Sequence, residues 1–241
     1  MSRIFVTGDT HRTHDIAKIE PSLFLEQLSL TKNDYMIICG DVGILWSSYT
    51  KYSPNAISED DKSAIQYWQD KYFTTLFIDG NHENHIALNS YPIEEWNGGK
   101  IHRLSDSVIH LMRGQVYTID GKKFFTMGGA DSIDKGIRTP NVSWWEDEMP
   151  SQAEYQEAMD NLEKNDFKVD YVITHDCGTQ IKSRIVTVHN QHDELNQFLW
   201  HLEKTFNLQF EHWYFGHHHI DRDIDEKHTC LYNTIREIKS I

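Results

Sequence analysis

Ile4-Phe5-Val6-Thr7-Gly8-Asp9-Thr10-His11 opens the chain with a β-branched and aromatic run that stops at glycine and delivers a carboxylate and an imidazole. Such a run reads as a buried strand, because these side chains suit a pleated surface packed on both faces. The pattern returns at Tyr35-Met36-Ile37-Ile38-Cys39-Gly40-Asp41 and at Leu76-Phe77-Ile78-Asp79-Gly80-Asn81-His82. Val169 to Thr174 ends at His175, and Trp213-Tyr214-Phe215 runs into Gly216-His217-His218-His219. In α/β sheets, binding groups gather beyond the carboxyl ends of strands, so these repeated polar endings predict convergence at one edge.

Between these strands, Ile16, Ile19, Leu23 and Leu28 recur at helical spacing within Asp15 to Leu30, with Pro21 as the point where a helix begins or restarts. Residues 59 to 73 and Glu194 to Lys204 also read as helical, and Ser151-Gln152-Ala153-Glu154 fits a capping box opening a helix to about Lys164. Residues 100 to 129 read as short antiparallel strands, with a hairpin turning at Asp120-Gly121, a pair suited to a type I′ turn. Gly128 to Met149 is long enough to predict a functional loop. Thr229 to Ile238 alternates as closing strands, and no repeat or linker divides the chain, so one domain spanning residues 1–241 is expected.

Hydrophobic residues make up 39% and aromatics 12%, ample for a continuous core. A net charge of −14, from 23 basic and 37 acidic residues, argues against a broad electrostatic grip on nucleic acid. Cys39, Cys177 and Cys230 are odd in number and form no C-x-x-C pattern, so no disulfide framework is expected. A cytoplasmic setting follows as the expectation, with no leader-like N-terminal run and no apolar stretch of membrane-spanning length.

In order, the strand ends carry D-x-H at Asp9 and His11, G-D at Gly40-Asp41, G-N-H-E at Gly80 to Glu83, a lone His175, and G-H-x-H at Gly216 to His219. That ordered set resembles the calcineurin-like metallophosphoesterase superfamily, over residues 8 to 219. The resemblance implies an α/β fold, a two-sheet β-sandwich flanked by helices in α-β-β-α layers. It also implies hydrolysis of a phosphomonoester or phosphodiester at a dinuclear metal centre. Carried over by motif, Asp9, His11 and His219 would hold one ion, Asn81, His175 and His217 the other, and Asp41 would bridge them.

Imidazole and carboxylate ligands suit transition ions, manganese first with iron or zinc as alternatives, where an all-oxygen set would suit Mg²⁺ or Ca²⁺. A bridging carboxylate lets two ions sit roughly 3.5 to 4 Å apart and share a water of lowered pKa. His82, beside Asn81, is the candidate general acid. Phosphoprotein phosphatases of the superfamily read G-D-x-V-D-R-G, but here Gly40-Asp41-Val42-Gly43-Ile44-Leu45-Trp46 lacks the second Asp and the Arg. Phosphate recognition therefore falls to Arg12 and Arg138 as substrate-binding candidates.

The expected partner is a small-molecule or protein-borne phosphoester, with nucleic acid disfavoured. The competing readings are a catalytically silent metal-binding scaffold on the same fold and a nuclease of the same superfamily. Trp144 and Trp145 are candidates for stacking on a base or an aromatic leaving group, with core or lid packing the expectation for at least one of them, and Asp131 and Ser132 are candidates for lining the cleft. His14, His85, His189, His192, His212 and His218 read as surface or supporting residues, and Asp176 as solvated unless it orients an imidazole. His82-Glu83-Asn84-His85 is one residue short of the zinc-protease motif H-E-x-x-H.

Overall fold

The computed structural model describes residues 2–50, 56–186 and 193–238. Its strands are β1 (Ile4–Thr7), β2 (Tyr35–Ile38), β3 (Thr74–Phe77), β4 (Ile93–Trp96), β5 (Gly99–Ser105), β6 (Val108–Leu111) and β7 (Gln115–Ile119). They continue with β8 (Lys122–Met127), β9 (Tyr171–Thr174), β10 (His212–Phe215), β11 (Arg222–Asp223), β12 (His228–Cys230) and β13 (Arg236–Ile238). The helices are α1 (Glu59–Gln69), α2 (His85–Asn89), α3 (Gln152–Glu163), α4 (Thr179–Lys182) and α5 (Glu194–Lys204).

Two mixed sheets result, ordered β13-β1-β2-β3-β6-β5-β4 and β11-β12-β10-β9-β8-β7. Strands β1, β2, β3 and β6 run parallel, as do β8, β9, β10 and β12. Alternation along each strand builds the layers, because successive side chains leave on opposite faces. Ile4, Val6 and Ile37 of one sheet meet Phe124, Tyr171 and Ile173 of the other in a shared core. Phe5, Met36 and Ile38 pack outward with Trp68 of α1, and Phe125, Val172, Trp213 and Phe215 pack outward with Leu162 of α3 and Leu199 of α5. Because both faces of these strands are buried, they read as unbroken apolar runs. The result is the calcineurin-like sandwich of two sheets flanked by helices.

Local signals explain the element ends. Ser151 caps α3 in a full capping box with Glu154, and Asp120-Gly121 turns β7 back into β8 with both residues at positive φ. The antiparallel expectation for residues 100 to 129 holds within the β5–β6 and β7–β8 hairpins, but β6 joins β3 and β8 joins β9 in parallel.

The Asp15–Leu30 helix does not form; the segment holds only 3-10 turns at Ile16–Ile19 and Leu25–Ser29. Glu20, which precedes Pro21, is extended at φ −71° and ψ 146°, as proline demands of its predecessor. Leu23 and Leu28, counted toward a buried face, are exposed. All three cysteines are buried and free. Among the described residues, no helix is long and apolar enough to cross a membrane.

Candidate metal centre

Asp9, Asp41 and Asn81 follow the carboxyl ends of β1, β2 and β3, while His175 and the 217–219 turn follow β9 and β10 of the other sheet. The two sheets thus present their polar endings to each other. His11, Asp41, His217 and His219 all lie at positive φ, between 40° and 66°. Non-glycine residues reach that region at a cost of about 1–3 kcal/mol each, and such strain gathers at functional sites. Glycines make the approach possible: a Cβ on Gly80 would collide with Asp41 Oδ1, and one on Gly216 with Asp9 Oδ1.

The side chains meet in overlapping triads. Ligand-capable atoms of Asp9, His11 and His219 lie within 4.8 Å of one another, as do those of Asp9, Asp41 and His175, and those of His11, Asp41 and His82. His175 Nε2 is 3.3 Å from Asp41 Oδ1 and 3.1 Å from Asn81 Oδ1. The His217 ring stands 5.0 Å from that of His175, centroid to centroid. Asp9, His11, Asp41, His175 and His219 thus form one cluster, with Asn81 joined to it through His175 and the His217 ring packed beside that of His175.

Supports fix the orientation of the ring nitrogens and the amide. His175 Nδ1–H donates to the Cys39 carbonyl at 2.7 Å, which leaves Nε2 facing the cluster. His11 Nδ1 is 2.7 Å from Asp15 Oδ2, and Tyr232 donates its hydroxyl to Asp15 Oδ1 at 2.7 Å while its ring stacks on His219. Asn81 Nδ2 donates to Ser132 Oγ, whose own proton goes to Glu148, so the amide oxygen points inward. Glu83 accepts the N–H groups of Val42 and Gly43 just after Asp41.

The field of the cluster favours cations. Burial opposes charge on His11 and His175, yet Asp41 and Asp9 outweigh it and raise these imidazoles to about 9 and about 10. Asp9 and Asp41 lie below the usual carboxylate range despite burial, held there chiefly by His219 and His175 respectively. Burial lowers His217 to about 3 against the pull of Asp176, which keeps its lone pair free. Burial and the nearby Asp41 push Glu83 up to about 8.

A metal fits this donor set. Asp9 Oδ2 is buried without a hydrogen-bond donor, since His219 Nε2, at 3.1 Å, lacks the alignment of a hydrogen bond. A buried, unsatisfied carboxylate oxygen is costly unless a cation meets it. Asp176, Cys177 and His218 also cluster, but Lys182 Nζ already stands 2.7 Å from Asp176 Oδ2 as its counter-charge.

A cavity of about 600 Å³ opens over His11, His82 and His219, and Arg12, Arg138 and Trp46 line it. Arg12 is engaged by Asp60 and Asp61 at 2.9 and 3.0 Å. Arg138 pairs with Asp134 through Nε, and its Nη1 and Nη2 lie 3.1 and 3.3 Å from the ring nitrogens of His82. Burial, with Arg138 and against Asp41, holds His82 below the usual imidazole value.

Several expectations are corrected. Asp176 is buried, not solvated, and holds His218, Lys182 and Asn196. His85 is buried behind Asp79 rather than at the surface. Trp145 is buried against Trp46, so of its two readings core packing holds and stacking on a ligand does not. Asp131 pairs with Lys135, and Ser132 serves Asn81 from below. His189 and His192 lie outside the described residues. Asp15, Tyr232, Glu83, Glu148 and Trp46 were missed; only Glu83, inside G-N-H-E, carried a sequence signal.

The family model described as calcineurin-like phosphoesterase matches residues 2–221, and the chain belongs to that family. It is a phosphoester hydrolase of a class that uses metal ions. Among solved structures it is similar to phosphopantetheinyl hydrolase (PptH) from Mycobacterium tuberculosis, at 12% identity and a TM-score of 0.46, over 98% of this chain and 95% of that one. It is also similar to a putative 5'-nucleotidase from Staphylococcus aureus in complex with alpha-ketoglutarate, at 12% identity and a TM-score of 0.43, over 95% of this chain and 48% of that one. No curated protein matches.

Proposed function

We propose that the chain is a single metallophosphoesterase domain that hydrolyses a phosphomonoester or phosphodiester of a small molecule at a dinuclear centre, with manganese the preferred ion. Asp9, His11 and His219 would hold one ion and Asn81, His175 and His217 the other, with the Asp41 carboxylate shared between the two sets. The observation that supports this reading is the convergence of His11, His175 and His219 on Asp9 and Asp41, with Asn81 joined to them through His175. When bound, the ion pair activates a water and neutralises phosphoryl oxygens.

The protein supplies the rest. Arg138 grips the phosphate: it lines the cavity beside His82, and its ion pair with Asp134 is made through Nε while Nη1 also donates to the Ser143 carbonyl. Arg12 stays with Asp60 and Asp61 and braces the loop after Asp41 instead. His82 donates a proton to the leaving oxygen, its backbone N–H fixed on Asp41 Oδ1 at 2.7 Å. The size of the cavity favours a small ester over a polymer, as does the acidic balance of the chain.

The test is turnover of p-nitrophenyl phosphate and its bis ester with added Mn²⁺. His82→Ala should lower kcat by about 10²- to 10⁴-fold on an alkyl phosphate, the usual worth of a positioned acid, and by less on p-nitrophenyl phosphate, whose phenolate leaves with little protonation. Asp41→Asn should abolish the metal-dependent rate. A metal-dependent rate that survives both substitutions refutes the mechanism.

A further inference from the structure

A phosphoryl group fills only a small part of the cavity of about 600 Å³ above the cluster. The remaining wall must meet the rest of the substrate. Among the described residues lining it, Trp46 is the one large apolar side chain. Gly43, also in the wall, contributes no side chain to it.

Trp46 is held in place before any ligand arrives. Its backbone N–H donates to both oxygens of Asp61 at 3.1 Å, and its carbonyl accepts from Asn84 Nδ2 at 3.2 Å. Its ring meets that of buried Trp145 at 76°, with centroids 5.2 Å apart. The indole lies within 26° of the His82 ring plane, with centroids 6.5 Å apart. A flat group laid on the indole would therefore bring its ester linkage toward His82, with Arg138 beside it. A fixed aromatic platform favours a planar partner, because offset stacking adds to plain area burial and little side-chain freedom is lost on binding.

We propose that Trp46 forms a leaving-group subsite, and that the substrates of this centre are phosphoesters whose leaving group carries a planar aromatic or heteroaromatic ring. The inference rests on the phosphoesterase reading above. It assigns to Trp46 a binding role that the metal-ligand motifs do not contain.

The experiment separates the two claims by using probes that cannot turn over. Full-length protein loaded with Mn²⁺ is titrated by calorimetry with phenylphosphonate and with methylphosphonate. Stacking on an aromatic side chain is worth roughly 5- to 100-fold in affinity, so phenylphosphonate should bind tighter by about that factor. Trp46→Leu, apolar but not planar, should erase the preference, and Trp46→Phe should keep most of it.

In parallel, kcat/KM is compared for adenosine 5'-monophosphate and ribose 5-phosphate, which share an alkoxide leaving oxygen and differ in the base. A preference confined to the nucleotide assigns the subsite to a nucleobase, and one confined to the phosphonate pair assigns it to an aryl ring. Equal binding within the phosphonate pair together with equal turnover within the ester pair overturns the subsite but leaves the phosphoesterase reading standing. A preference that persists in Trp46→Leu, or that Trp46→Phe loses as fully, also overturns it. Retained phenylphosphonate preference with no hydrolysis of any ester would sink the catalytic reading and keep the subsite.

Discussion

Replacing Asp15 with asparagine should weaken metal binding on the His11 side of the centre by about 10- to 100-fold, the usual effect of removing a carboxylate that orients a ligand imidazole. In free energy that is about 1.4 to 2.8 kcal/mol. Asp15 accepts from two donors at 2.7 Å each, His11 Nδ1–H and the Tyr232 hydroxyl. An asparagine has one acceptor oxygen in place of two, so one donor loses its partner or the His11 ring changes tautomer. Either outcome frees the ring nitrogen that now stands 3.2 Å from Asp41 Oδ2 to move away. Because the Asp15 side chain is 23% exposed, solvent screens part of its charge, which places the effect toward the lower half of that range. Tyr232→Phe keeps the ring 4.7 Å from His219 and removes only the hydroxyl, so its loss should be about fivefold or less. Chelator-stripped protein titrated with Mn²⁺ by calorimetry, with metal content checked by elemental analysis, reads both variants. If Asp15→Asn binds both ions as tightly as the wild type, the carboxylate does not orient His11 and the reasoning fails.

Two further perturbations probe the frame around the centre. Arg113→Met removes the contacts at 2.6 and 2.8 Å that neutralise the buried Asp79 carboxylate, leaving it His110 Nε2 at 3.2 Å, and should cost about 3–5 kcal/mol. For a chain of this size that lowers Tm by roughly 6–20 °C in scanning calorimetry, and an unchanged Tm would show that the pair contributes nothing net. Asp61 accepts the N–H groups of Trp46, Ser47 and Ser48, the Ser48 hydroxyl and Arg12, which together outweigh burial and hold its carboxyl below the usual range. Its contribution is therefore complete above the unfolded value of about 3.9 and is lost as pH falls through the folded one. The Tm gap between wild type and Asp61→Asn should be widest near neutral pH and close below about pH 4; a gap constant down to pH 3 would contradict this.

The strands and the ligand types were legible for a shared reason. A strand buried on both faces must be apolar along its whole length, and the first polar residue after it marks the sheet edge, as at Thr7-Gly8-Asp9 and Cys39-Gly40-Asp41. Periodicity failed where burial did not follow spacing: Leu23 and Leu28 have helical spacing but face solvent beyond Pro21. Asp79 sits at the same kind of strand end as Asp9 and Asp41, yet its carboxylate turns away to Arg113. Nothing local separates it from a ligand, because the partner that claims it lies 34 residues along the chain.

The supporting residues were hidden for a stronger version of the same reason. Asp15 is one of 37 acidic residues, and only the tertiary fold brings it to Tyr232, 217 positions away. Trp46 carries no signal of its own in a stretch whose neighbours Val42, Ile44 and Leu45 are buried apolar residues, and only the fold brings it to the cavity wall. In the proposed allocation, one ion takes Asp9 and His11 from beyond the seven-stranded sheet and His219 from beyond the six-stranded one; the other takes Asn81 from the first and His175 and His217 from the second. Neither sheet carries a complete set for either ion. A ligand motif can therefore be read strand by strand, while the geometry that makes it a site depends on how two sheets lie against each other. In this chain the His175 Nδ1–H to Cys39 carbonyl bond, spanning 136 residues, and the His217 N–H to Asp9 Oδ1 bond, spanning 208, are direct links between them at the centre.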